Sequence, residues 1–223
     1  MELEPDNAQF PNRLGVFFYA QGRHEDAIPF YRKALELDPE NAIFQNNLAL
    51  ALEGDGQFEE AEETYKKAIE LDPANATYPN YLGGLYYRAK RFKEAISCFE
   101  NAIKLDPKVA FYYENLGLSF ENLEKFEEAE EAYRKAIATE PGSPVYQNRL
   151  GLFFYNRGRY RESVPHYGNA LEKDPGNVTY LANLGLAHLN LGENELAAGY
   201  FEKALLSQPQ DSQLQEYLRL ARS

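Results

Sequence analysis

The chain has 223 residues, 44% of them apolar and 26% charged, which supports a packed core and excludes wholesale disorder. Its formal net charge of −12 opposes non-specific binding to nucleic acid or anionic lipid, since both need a basic surface. No apolar run reaches membrane-spanning length, the opening "MELEPDN" is acidic where a signal peptide is basic, and the lone Cys98 excludes an internal disulfide; a cytoplasmic location is favoured.

Prolines 5, 39, 73, 107, 141, 175 and 209 are each 34 residues apart. An acidic residue precedes each one until Gln208 breaks the series. This period divides the chain into repeats 8–41, 42–75, 76–109, 110–143, 144–177 and 178–211, followed by a tail, 212–223. Ahead of them, "LEPDN" from Leu3 matches "LDPEN" from Leu37, so the chain begins on the end of a repeat whose body is absent. That favours a segment of a longer protein. Repeat one carries "NRLGVFFYAQGR" from Asn12, and repeat five carries "NRLGLFFYNRGR" from Asn148. Repeats two and four share "FEEAEE", from Phe58 and Phe126. The tail "QDSQLQEYLRLARS" reads as a capping helix with Leu214, Tyr217, Leu218 and Ala221 on one side.

Within a repeat, with position 1 at Ala8, Ala42, Ala76, Ala110, Pro144 and Val178, position 7 is always leucine and position 8 is Gly or Ala. Position 24 is always Tyr or Phe, and position 27 is always alanine. Positions 4, 7, 8 and 11 share one face of a 3.6-residue helix, and positions 20, 24, 27 and 28 share another. Each unit is therefore a helix A, a turn near position 15 (Gly22, Gly56, Gly158, Gly192) and a helix B that stops before its acidic–Pro pair. Pro11 and Pro79 fall in the first turn of helix A, and Pro29 and Pro165 near the start of helix B.

This pattern resembles the tetratricopeptide repeat, six times in succession, without the usual Trp at position 4. The resemblance implies an all-α, right-handed superhelical solenoid of antiparallel helix pairs that serves as a protein-interaction scaffold. It further implies that helix A lines a concave groove which takes partner peptides. Opposite the packing face of helix A stand Arg13, Asn47, Tyr81, Asn115, Arg149 and Asn183 at position 6, with Asn12, Asn80 and Asn148 beside them at position 5. Position 9 supplies Val16, Leu50, Gly84, Leu118, Leu152 and Leu186, and position 12 supplies Tyr19, Glu53, Tyr87, Glu121, Tyr155 and Leu189. With Arg88, and leaving aside Gly84 and Leu189, these are the candidate peptide-binding residues. Each asparagine amide offers a donor and an acceptor to an extended backbone, and the arginines suit carboxylates. The alternative role for the asparagines is to tie neighbouring repeats together. The resemblance also suggests the carboxylate clamp of chaperone-binding members of that family, of which Asn12, Arg13 and Asn47 would supply part, while Tyr81 stands where a cation is expected and breaks the pattern.

A longer period of 68 residues lies over the short one. Positions 10 to 12 of the odd repeats are Phe17-Phe18-Tyr19, Leu85-Tyr86-Tyr87 and Phe153-Phe154-Tyr155, and their turns are basic, while helix B of repeats two and four is acidic. Duplication of a two-repeat ancestor accounts for this, and so would a ligand that reads alternate residues. His24, His166 and His188 occupy unrelated slots, and no nucleophile elbow, phosphate loop or metal motif appears. The chain is therefore expected to be non-catalytic, without cofactor or metal, to bind protein or peptide, and neither to bind nucleic acid nor to insert directly into membrane. The rival readings are an array that self-associates through its uncovered N-terminal end, and a substrate-presenting arm of a larger enzyme such as a glycosyltransferase.

Overall fold

Helices alternate with tight turns at the spacing that the repeat dictates. The computed structural model describes residues 7–223, so the "LEPD" segment from Leu3 lies outside the described residues. The elements are α1 (Gln9–Ala20), α2 (His24–Leu37), α3 (Ala42–Gly54), α4 (Phe58–Leu71), α5 (Thr77–Arg88), α6 (Phe92–Leu105) and α7 (Ala110–Asn122). They continue with α8 (Phe126–Thr139), α9 (Pro144–Asn156), α10 (Tyr160–Lys173), α11 (Val178–Asn190), α12 (Asn194–Ser207) and α13 (Ser212–Ala221). No strand occurs among the described residues.

Each helix B ends on the residue before its pre-proline position; Asp38, for example, follows the last residue of α2 and leaves helical conformation at φ −144°, ψ 80°. At two of the restarts an asparagine caps the next helix. Asn41 Oδ1 accepts from the amides of Ile43 and Phe44, and Asn177 Oδ1 from those of Thr179 and Tyr180. The turn at position 15 is left-handed, with φ +74° at Gly22 and +72° at Gly158. Lys90 and Glu124 take the same conformation, at φ 58° and 57°, with a Cβ that glycine lacks. Pro29 and Pro165 lie one turn deeper than Pro11 and Pro79, as the sixth residues of α2 and α10. There each removes an intrahelical donor instead of replacing an orphan one.

The chain divides at Lys125 into two compact units. In the first, α1 packs on α2, α3 on α4 and α5 on α6; successive pairs meet through α2–α3, α4–α5 and α6–α7. In the second, α8 packs on α9, α10 on both α9 and α11, and α12 on α11 and α13. The core of both is the position-24 ring, with Tyr31, Tyr65, Phe99, Tyr133, Tyr167 and Phe201 no more than 2% exposed. Burying such a ring stabilises by roughly 1.5–3 kcal/mol. Opposite it, helix A presents glycine: a Cβ on Gly151 would stand 2.7 Å from Tyr167, and one on Gly83 2.6 Å from Phe99. The last helix lays Leu214 and Ala221 on the core of α11 and α12, and the Tyr217 ring centre lies 5.5 Å from that of Phe201.

Candidate functional site

The asparagines of positions 5 and 6 bond to each other. Asn47 Nδ2 donates to Asn12 Oδ1 at 2.9 Å, Asn115 to Asn80 at 3.0 Å and Asn183 to Asn148 at 2.9 Å. Each bond joins an odd repeat to the even repeat that follows. Asn12 and Asn80 are buried, while Asn148 and the three donors are half-buried at the helix-A face. A second row one turn pair along works in the same register: Asn122 donates to the Tyr87 hydroxyl at 3.0 Å, and Asn190 to that of Tyr155 at 2.9 Å. Opposite Tyr19 the corresponding residue is Gly54, and the space is filled by His24, whose ring centre is 5.0 Å from that of Tyr19.

Junctions from even to odd repeats are built differently. Arg91 reaches back to Glu62 at 2.5 Å, and Arg159 to Glu130 at 3.0 Å. Each arginine also lies over the position-11 ring of its own repeat, 4.3 Å from the Tyr86 centroid and 4.4 Å from that of Phe154. Arg88 pairs with Glu53, whose other oxygen accepts from the Tyr65 hydroxyl at 2.9 Å. Among the described residues no amide–amide hydrogen bond forms at the junction of repeats two and three. There position 6 is Tyr81, whose ring stacks beside Tyr65 at 6.3 Å, and the buried Asn46 Oδ1 has no partner among the described residues. The alternation of basic turns and acidic helices in the sequence is thus the chemistry of two alternating junctions.

The remaining candidates are spread along the same faces. Arg13 and Val16 are exposed on α1, and Leu50, Glu121, Arg149, Leu152 and Leu186 are half-buried. Between α5 and α7 the face opens into a recess of about 210 Å³. Asn80, Tyr81, Tyr87, Arg88, Asn115 and Leu118 line it, together with Gly84, Phe99 and Phe111, which were not among the candidates. Phe111 is at position 2, on the same side of helix A as positions 6 and 9, and is 48% exposed. That column of the sequence was its signal. Burial raises the Tyr19 hydroxyl, with Tyr81 adding to the effect, and lowers the Arg88 guanidinium.

Burial pushes the Cys98 thiol up to about 11, with the Glu62 carboxylate adding to it, so the thiolate is scarce at neutral pH. His166 Nδ1 is 2.9 Å from Gln147 Oε1, and burial lowers its pKa. His188 Nδ1 meets Glu193 at 2.5 Å and its ring stacks on Tyr200. No group of three potential metal ligands occurs among the described residues, and no helix among them is long and apolar enough to cross a membrane.

One tetratricopeptide repeat model matches residues 6–74, and a second matches 46–109, 82–144 and 148–213. The chain belongs to the tetratricopeptide repeat family. Similar solved structures include one from the functional characterization of Pseudomonas aeruginosa pilF, 26% identical over 95% of this chain and 96% of that one, with a TM-score of 0.75. A MamA structure is 30% identical over 72% of this chain and 94% of its own, with a TM-score of 0.64. YrrB, described as a tetratricopeptide protein with an unusual peptide-binding site, is 27% identical over 86% and 98%, with a TM-score of 0.65. No curated protein sequence matches this one. The tetratricopeptide chain has the all-α solenoid fold of its neighbours, and that fold is in general a protein-interaction scaffold.

Proposed function

We propose that this tetratricopeptide chain is a non-catalytic scaffold that holds an extended peptide segment along the helix-A faces of its repeats. The observation that carries the reading is the state of the amide pairs. In each pair one N–H and one carbonyl oxygen are spent on the partner, and the half-buried position-6 asparagine keeps its own oxygen and a second N–H. Such a group can accept from and donate to a peptide backbone whatever its side chains are. Beside each pair the apolar position-9 residues provide dry contact area for alternate side chains. Affinities on the order of micromolar, about −8 kcal/mol, are expected for one short segment.

The test is a peptide array screened with the parent and with a variant carrying Leu50→Glu, Leu118→Glu and Leu152→Glu, whose fold is checked by circular dichroism and melting. These half-buried leucines take no part in the amide pairs. Peptides retained by the parent and lost by a folded variant support the reading. Equal retention by both overturns it. A self-associating array is favoured only by the exposure of Phe10 and Phe17, 56% and 59%, and concentration-dependent mass in sedimentation would reveal it.

A further inference from the structure

Position 9 of helix A is Val16, Leu50, Leu118, Leu152 and Leu186 in five repeats, and Gly84 in the third. The recess between α5 and α7 lies where that side chain is missing. Two of its rings are held by other contacts. Phe99 is held against Gly83, and the Tyr87 hydroxyl accepts from Asn122. At about 210 Å³ the recess is larger than apolar cavities of about 150 Å³ that accept benzene. One aromatic or branched aliphatic side chain is therefore the right size for it.

Charge selects among such occupants. Arg88 is the charged residue lining the recess; its Nη2 is paired with Glu53, and its Nη1, which keeps its own N–H donors, lies 3.5 Å from where a Gly84 Cβ would stand. An ammonium or guanidinium entering the recess would be desolvated with no carboxylate lining it, whereas a carboxylate beside the anchor can accept from Arg88 Nη1 in a charge-assisted hydrogen bond. At the rim Asn115 donates to Asn80, and the amide groups left over face the backbone of whatever enters.

We infer that Gly84 opens an anchor pocket, which takes one bulky uncharged apolar side chain of an extended peptide with an acidic residue next to it. This rests on the proposed peptide-holding face, of which it is the specificity-determining point. The variant that tests it is Gly84→Leu, which restores the side chain found in the other repeats. Its Cβ meets only the flexible end of Arg88, and it removes a mid-helix glycine, so its melting temperature should equal or exceed the parent's.

Parent and variant are titrated with a positional-scanning dodecapeptide library whose central residue is Phe, Leu, Gln, Ala or Lys, with Asp or Lys beside it. The parent should favour Phe or Leu beside Asp over Ala by ~10-fold or more, the worth of one buried apolar side chain. Gly84→Leu should lose that preference and keep the weak binding of the Ala peptides. If the parent binds peptides without an anchor preference, or the variant keeps the preference, the pocket is overturned and the peptide-holding face stands. If the parent binds none of the library, both fall.

Discussion

The side-chain amide of Asn47 donates to the side-chain oxygen of Asn12 at 2.9 Å, and the two residues stand 35 positions apart, one repeat plus one residue. The bond joins two helices that are not consecutive, α1 and α3, and one of its members is buried. A double-mutant cycle with Asn12→Ala and Asn47→Ala should show a coupling of about 0.5–1.5 kcal/mol in urea denaturation. A coupling of zero would mean that the pair contributes register without stability.

Glycines of the two helix types should respond oppositely to alanine. At Gly151 the new methyl would sit 2.7 Å from the fully buried Tyr167 ring, so Gly151→Ala should destabilise by about 1–3 kcal/mol. At Gly168, on α10, nothing lies within 4 Å of the added carbon, and Gly168→Ala should stabilise by about 0.5–1 kcal/mol. Thermal melts of the two variants check both signs.

Lys90 occupies the left-handed turn position that four other repeats give to glycine. Relief of its Cβ clash outweighs the added freedom of the unfolded chain, so Lys90→Gly should raise stability by about 0.5 kcal/mol. A chemical denaturation midpoint that falls would contradict this.

Acid should loosen the junction of repeats two and three at Glu62. Burial alone would push its carboxyl up, but hydrogen bonds from Lys66, Tyr86 and Arg91 outweigh that and hold it at about 2. The folded value lies below the unfolded one of about 4.3. The stabilisation is therefore complete above that pH and is lost as pH falls through about 2. Glu62→Gln should be less stable at neutral pH and show a flatter decline between about pH 4.5 and 2, measured as melting temperature against pH.

The helices and their turns were legible because leucine, small-residue and aromatic columns recur at fixed positions, and because proline stops helix B wherever it follows the acidic residue. The partners of the asparagines were not. Positions 5 and 6 lie about 100° apart on a helical wheel, and only the rise and rotation from one repeat to the next bring Asn12 opposite Asn47. Likewise Gly84 stood out in its column, yet the recess needed Phe99 and Phe111 as well. These come from positions 24 and 2, which a single helical wheel does not place together. The arginine partners of Glu62 and Glu130 lie 29 residues further on, in the next repeat, where no pattern within one helix points to them.

Amide pairs that join only odd repeats to even ones give the molecule a grammar of length. Excising residues 42–75 would set Asn12 facing Tyr81, and its buried oxygen would lose its donor, as Asn46 already lacks one at that boundary. Excising residues 8–75 would delete one bonded pair whole and leave Asn80 with Asn115. Deletions and insertions in this chain should therefore be tolerated in steps of two repeats and resisted in steps of one.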